Sequence, residues 1–300
     1  TLDNRQGIVY SYGPLAHNSD LVGKLEEKGL VTVDSILAAK DGEIIVRSHG
    51  VGKNKLNENK EAGLKLVDCT CPYVKLVHKK VKKYSQQGYE IVIIGDANHP
   101  EVKGIAGWSK SKPFIINSLE DVENMPTLKD VCLVSQTTNT REKFNTLVKA
   151  VENKGENVLV FNTICRATND RQTAAKELAK EVDAMVVIGG YHSSNTKKLA
   201  EISKEYCKHV FHIERIADLP LQKVSKFNTI GVTAGASTPD WIIKEAIEVM
   251  DKLNNNEMLE AIEKSFTKIH KGEIIKGRVI FVTDDEVMVN INYKSDGIIN

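Results

Sequence analysis

Short apolar runs alternate along most of the chain with stretches of helical period. The first run, Gly7-Ile8-Val9-Tyr10, leads into Gly13-Pro14-Leu15-Ala16-His17-Asn18 and a helix ending near Gly29. Ile91-Val92-Ile93-Ile94 leads into Gly95-Asp96-Ala97-Asn98-His99-Pro100-Glu101, and Met185-Val186-Val187-Ile188 into Gly189-Gly190-Tyr191-His192-Ser193-Ser194-Asn195. Each pattern predicts a strand, a loop and a helix. In all three, a polar side chain stands four residues after a glycine, namely His17, His99 and Ser193. The glycine is expected to let the backbone turn sharply at the strand's exit.

The pattern has further tiers. Glu43 to Val46 exits to Arg47-Ser48-His49-Gly50, Val131 to Val134 exits to Ser135-Gln136-Thr137-Thr138, and Thr229 to Thr233 exits to Ala234-Gly235-Ala236-Ser237. A third tier runs through Leu64, Leu66 and Val67 into Asp68-Cys69-Thr70-Cys71-Pro72, and through Asn157 to Phe161 into Asn162-Thr163-Ile164-Cys165. The predicted fold class is α/β, with three pseudo-repeated small units, each built on a parallel sheet. Ligands of such sheets sit beyond the carboxyl ends of the strands. If the units face one axis, their exits converge on a central site. That site would hold His17, His49, His99, Glu101, Thr137, Ser193, Asn195 and Ser237 with Cys71 and Cys165. The same symmetry asks for a third cysteine. None follows Ser237 at a strand exit, which points to a position upstream of Thr1.

A helix over 239–253, with Ile242, Ile243, Ala246, Val249, Met250 and Leu253 on its apolar face, closes this part. Asn254-Asn255-Asn256 breaks it, and a short helix and the basic hinge Lys268 to Gly272 follow. The chain then changes character. Glu273 to Val282, Val287 to Ile291 and a run from Tyr293 predict a β-meander, the beginning of an incomplete OB-type barrel. The expected division is 1–254 (units near 1–70, 71–164 and 165–254), a linker over 255–272, and the barrel start over 273–300.

Three hundred residues suit two or three domains, and a net charge of +1 calls for neither nucleic acid nor membrane as a partner. No apolar run approaches the roughly 18–20 residues of a membrane span, and no secretory signal opens the chain at Thr1. Five widely spaced cysteines without a CxxC pair argue against a secreted disulfide framework and a zinc ribbon. A reducing, cytoplasmic compartment is expected. No Walker-type or GxGxxG loop is present.

Three thiolates on a four-iron cluster would leave one iron without a protein ligand, open to a substrate oxygen. Pro72 suits the first helical position, so Cys71 stands at a helix mouth that favours a thiolate. Matching strand exits set the ligand reading of Cys71 and Cys165 level with that of ordinary core cysteines. Cys132 and Cys207 read as filler and Cys69 as structural. The histidines, hydroxyls and glycine-rich backbone suit an anion. Glu101 lacks a nearby basic partner in its loop and is a candidate proton donor. His78, beside Lys79 and Lys80, reads as solvated, and Lys79 to Lys83 as a solvated helix face. His192 is ambiguous, and His209, His212 and His270 lack site context.

These loops together resemble a known family. His17-Asn18, Ser48-His49-Gly50, Asp68 to Pro72 with Val77-His78, Gly95 to Glu101, Gln136-Thr137-Thr138, Cys165 to Asn169 with Arg171-Gln172, Ser193-Ser194-Asn195 and Thr233 to Ser237 are similar, in order over about residues 7–253, to the 4-hydroxy-3-methylbut-2-enyl diphosphate reductases, the last enzymes of the non-mevalonate isoprenoid pathway. The resemblance implies three α/β units around a central 4Fe-4S cluster held by Cys71 and Cys165. It implies a diphosphate held by His17, His49, Ser193, Ser194, Asn195 and Ser237, with His99 and Thr137 near the substrate hydroxyl and Glu101 relaying the proton. Reduced ferredoxin or flavodoxin would supply electrons. The family's first cluster cysteine lies in a Gly-Phe-Cys motif upstream of the His-Asn segment, before the point where this chain starts.

The tail, through Gly277-Arg278-Val279 and Tyr293 to Gly297, resembles the start of the S-one-type RNA-binding barrel. This leaves two rival readings. One is another threefold iron–sulfur enzyme, such as a quinolinate synthase-like dehydratase. The other is an RNA-binding, translation-associated protein that meets RNA or the ribosome through the C-terminal barrel, with the reductase part as scaffold.

Overall fold

The protein, as a computed structural model, is described over residues 7–39, 41–251, 272–282, 286–291 and 297–299. Backbone contacts divide it into two units, residues 1–172 with 190–198 and residues 173–189 with 199–300.

The first unit contains two parallel sheets of the same topology. Strand β1 (Val9–Tyr12), helix α1 (Ser19–Glu27), β2 (Leu30–Val33), β3 (Glu43–Val46), α2 (Lys53–Glu61) and β4 (Lys65–Asp68) build a sheet in the order β2-β1-β3-β4. Val9 is paired with both Leu30 and Glu43, and Glu43 with Lys65. Helix α3 (Pro72–Gln86) leads to β5 (Glu90–Ile94), α4 (Pro100–Ala106), β6 (Phe114–Ile116), α5 (Leu119–Asn124), β7 (Asp130–Ser135), α6 (Arg141–Glu152) and β8 (Asn157–Val160), in the order β6-β5-β7-β8. Helix α7 follows over Arg166–Glu181. In this order the chain leaves the first strand to one side and returns on the other. The loops after β1 and β3, and after β5 and β7, therefore flank a crevice at the sheet's switch point.

The second unit repeats the opening of that order. Strand β9 (Ala184–Ile188), α8 (Ser194–Tyr206), β10 (His209–Ile213), α9 (Leu221–Val224), β11 (Ile230–Ala234) and α10 (Asp240–Asp251) follow in sequence, with the parallel sheet β10-β9-β11. The tail forms a separate antiparallel sheet of β12 (Arg278–Val282), β13 (Val287–Asn290) and β14 (Gly297–Ile299).

Central strands are buried on both faces, which is why they read as continuous apolar runs. Val92 and Ile94 pack with Leu133, Phe144, Leu147 and Val151 on one side of the second sheet. Ile91 and Ile93 pack with Val77, Val81, Val102 and Ile105 on the other. In the second unit, Val186 and Ile188 meet Ile242, Ala246 and Met250.

Several expectations are corrected. His78 is not solvated: it is 5% exposed and stacks on Trp108 with ring centroids 5.3 Å apart. It shares the inward stripe of α3 with Val74, Val77, Val81 and Ser85. Lys79, Lys82 and Lys83 are exposed as expected, whereas Lys80 is half-buried over the Phe161 ring. Cys132 and Cys207 are buried, but Cys69 is exposed. The first tail strand starts at Arg278 rather than Glu273. Residues 255–271 of the expected linker, with its short helix and His270, and the run from Tyr293 to Asp296 lie outside the described residues.

Candidate active site

The loops after β1, β3 and β5 bring three imidazoles together. His17 and His49 have ring centroids 4.8 Å apart, His49 and His99 5.4 Å, and His17 and His99 6.2 Å. A nitrogen from each lies within 4.8 Å of the others. Gly13 turns the first loop with φ +71°, and Gly50 turns the second with φ +66°. Gly95 answers a different need, since a Cβ there would stand 2.7 Å from Val102 Cγ2. Asn18 caps α1 by accepting from the Leu21 N–H at 2.8 Å, which fixes the residue beside His17. His99 caps α4, its Nδ1 accepting from the Glu101 N–H at 3.2 Å. Its proton then sits on Nε2 in the neutral ring. His17 Nε2 and His49 Nδ1 are buried without a hydrogen-bond partner.

Glu101 lies in the first turn of α4 and is 2% exposed. Thr137, from the loop after β7, donates its N–H to Oε1 at 2.6 Å and its hydroxyl to Oε2 at 2.8 Å. Burial pushes the carboxyl up to about 6, against these two hydrogen bonds. Cys71 and Cys165 hold equivalent places after the edge strands β4 and β8. The Cys71 N–H donates to the Ser48 carbonyl at 3.0 Å, and the Cys165 N–H to that of Thr137 at 2.9 Å. Each sulfur also meets donors at a helix N-terminus, Tyr73 and Val74 for Cys71, Ala167 and Thr168 for Cys165. The thiolate expected at Cys71 does not follow from the helix alone. Burial pushes the thiol up to about 11, with the charges of Cys165 and Glu101 adding to the rise. Burial raises Cys165 as well. Two thiols that are neutral alone, adjacent, and each supplied with N–H donors fit a site that becomes anionic only when a cation or metal cluster binds.

The loop entering α8 joins the same unit. Ser194 Oγ lies 3.1 Å from Thr138 Oγ1 and takes a hydrogen bond from Gln136 Nε2 at 3.2 Å. Ser193 is buried, and its hydroxyl accepts from the Thr196 N–H at 3.3 Å. Asn195 is buried with both amide atoms unpartnered. Ser237 belongs to the second unit, in the turn after β11, with its Oγ buried and unpartnered.

Four basic groups join the cluster that the repeat pattern did not single out as site members. Arg47 acts on His17, His49 and His99, Lys197 and His192 act on His17, and Lys198 acts on His99. Burial first, then this positive surrounding, pushes His99 down to about 4 and His49 to about 2, and lowers His17. The spacing of the triad also suits a metal ion, but the positive charge of Arg47, Lys197 and Lys198 outweighs Asp96 near His99 and favours an anion.

Residues 1–251 match the LytB protein family. The chain belongs to this family. Among relatives of this LytB chain, "4-hydroxy-3-methylbut-2-enyl diphosphate reductase" of Clostridium tetani is 46% identical over 296 residues, covering 97% of the chain and 46% of that protein. The protein of the same name from Alkaliphilus oremlandii is 47% identical over 248 residues, covering 82% and 88%. The LytB chain thus spans about half the length of the first of these relatives and most of the second.

Two solved structures are similar to it. The "E-1-hydroxy-2-methyl-but-2-enyl-4-diphosphate reductase" of Plasmodium falciparum has a TM-score of 0.78 at 28% identity, covering 83% of this chain and 80% of that one. A structure titled "(E)-4-Hydroxy-3-methyl-but-2-enyl Diphosphate Reductase, the Terminal Enzyme of the Non-Mevalonate Pathway" has a TM-score of 0.62 at 38% identity, covering 84% and 90%. The LytB match ends at residue 251 and lends no support to the RNA-binding alternative. No helix among the described residues is long and apolar enough to cross a membrane.

Proposed function

We propose that this chain removes the allylic hydroxyl of 4-hydroxy-3-methylbut-2-enyl diphosphate, giving isopentenyl and dimethylallyl diphosphates. The observation that carries the reading is one buried carboxyl, Glu101, held by Thr137, its backbone N–H bonded to His99 of the triad and its charge felt by the Cys71 thiol. Membership of the LytB family and the names of its relatives support the substrate.

The reaction breaks one C–O bond, takes in two electrons and two protons, and releases water. The cysteine pair fits an iron–sulfur cluster, with Cys71 and Cys165 as two of its protein ligands. A 4Fe-4S cluster held there would supply electrons and Lewis acidity, with ferredoxin or flavodoxin as the expected electron source. The free cysteines suit a reducing, cytoplasmic setting.

The chain's own residues do the rest. His17, His49, Ser193, Ser194 and Asn195 bind the diphosphate. The unpartnered atoms of His17, His49 and Asn195 supply hydrogen-bonding capacity that the ligand satisfies. His99 presents its Nε2–H towards the hydroxyl end of the substrate. Thr137 fixes Glu101, whose carboxyl titrates about 6 and therefore both holds and releases a proton near neutral pH. One proton leaves in the water formed, and the second goes to an allyl carbon.

Anaerobic turnover by the full-length, iron–sulfur-loaded protein with a chemical reductant tests the reading. Isopentenyl and dimethylallyl diphosphates are the expected products. Intact substrate, or a product retaining the hydroxyl, would overturn it.

A further inference from the structure

Arg47 stands at the switch point, one residue past the end of β3 and two before His49. Its guanidinium lies against Gly13, where a Cβ would stand 3.1 Å from Arg47 Cζ. One Nη1–H donates to the Pro14 carbonyl at 3.1 Å. Among the described residues no carboxylate lies within ion-pair distance of it. The side chain is half-buried, and burial lowers its pKa, yet a guanidinium stays charged throughout the working range. A half-buried charge without a counter-ion is costly. The fold nevertheless clamps this one in place, and its field reaches all three imidazoles of the triad.

We propose that Arg47 is the fixed cation of the anion site, and that its free N–H groups bind a phosphate group of the ligand beside His17 and His49. The inference rests on the diphosphate reading of that site. The chemistry is suited to it. The histidines are neutral in the empty site, so they bring dipoles rather than charge. A guanidinium brings a permanent charge and five N–H donors in a planar fork that matches phosphate oxygens. Only one of those donors has a protein partner among the described residues. Gly13 is part of the device: its positive φ and missing side chain let the guanidinium lie flat on the loop that carries His17.

The competing role is a brace that merely ties the Gly13–His17 loop to β3. Calorimetric binding of inorganic pyrophosphate to the full-length loaded protein separates the two, using Arg47→Gln and Arg47→Lys with melting temperatures alongside. The expected result is about tenfold or greater loss of pyrophosphate affinity in Arg47→Gln, an intermediate loss in Arg47→Lys, and weaker salt dependence in the Gln protein, with little change in melting temperature. An affinity in Arg47→Gln within about twofold of the parent overturns the proposal. So does an equal loss in both variants accompanied by a fall in melting temperature, which is the signature of a brace. If the unsubstituted protein fails to bind pyrophosphate, the diphosphate reading falls and this inference with it. If it binds and Arg47→Gln binds equally, only this inference falls.

Discussion

Thr137 donates both its backbone N–H and its hydroxyl to Glu101, at 2.6 and 2.8 Å, one to each carboxylate oxygen. The pair joins the loop after β7 to the first turn of α4. It leaves the carboxyl no freedom to reorient and no contact with bulk water. Glu101→Gln keeps the shape and removes the titrating proton. Its turnover is expected to fall by about 100-fold or more, the scale of a lost general acid, while iron content stays at the parent level. Product formation and iron content are measured on the same preparation. Near-parent turnover would remove Glu101 from the proton path.

The same carboxyl leaves a mark on stability. Its folded value of about 6 exceeds the ordinary 4.5, so the folded state binds more protons between those limits. Stability should therefore fall as pH rises from 4.5 to about 6, by about 2 kcal/mol from this group. Buried His78, pushed down to about 4, acts the other way, since the unfolded chain takes up the proton first and stability rises with pH towards 6.5. Urea midpoints across this range for the parent, Glu101→Gln and His78→Gln separate the two. Identical pH slopes in all three proteins would contradict the assignment.

The histidine triad is neutral when empty because burial and neighbouring positive charge lower all three rings. A phosphate group brings negative charge that counters the positive surrounding and raises them. Pyrophosphate should therefore bind more tightly as pH falls from 8 to 6, and more steeply in the parent than in His17→Asn. The ligand's own protonation is common to both proteins, so the difference belongs to the ring. A loss of about tenfold is expected in His17→Asn at the acid end. Parallel pH profiles would contradict an anion-responsive imidazole.

Gly50 is constrained twice. Its φ is +66°, and a Cβ would lie 2.6 Å from His78 Cε1 and 2.8 Å from Thr70 Cγ2. Gly63 has a similar φ of +68° with nothing within 4 Å. Gly63→Ala should cost about 1 kcal/mol from backbone strain alone, and Gly50→Ala about 2–4 kcal/mol because the imidazole must also move. Urea denaturation of the two variants reads the difference. Equal losses would mean that His78 yields freely.

Much of the scaffold was legible because the sheets obey one order. Strand, glycine loop and helix recur, and the parallel order β2-β1-β3-β4 returns as β6-β5-β7-β8. That repetition carried His17, His49, His99, Glu101, Thr137 and the two cysteines to strand exits in one unit. The equivalence extends to the backbone, where Cys71 and Cys165 each bond the carbonyl two residues past β3 and β7. Arg47, Lys197 and Lys198 were not legible as site members because their charges act at the end of long side chains, away from the repeat's own positions. His78 could have been found: it lies four residues after Val74 and three before Val81, on the apolar stripe, and the adjacent lysines masked it. Desolvation outweighs the helix dipole at Cys71, so its place at a helix mouth does not by itself give a thiolate.

Iron and acid-labile sulfide per chain, measured on the full-length protein after anaerobic reconstitution, test the central claim most directly. The parent is expected to hold a cluster, and Cys71→Ser and Cys165→Ser each to lose most of its iron and sulfide. Undiminished iron and sulfide in both variants, or none in the parent, would contradict the account.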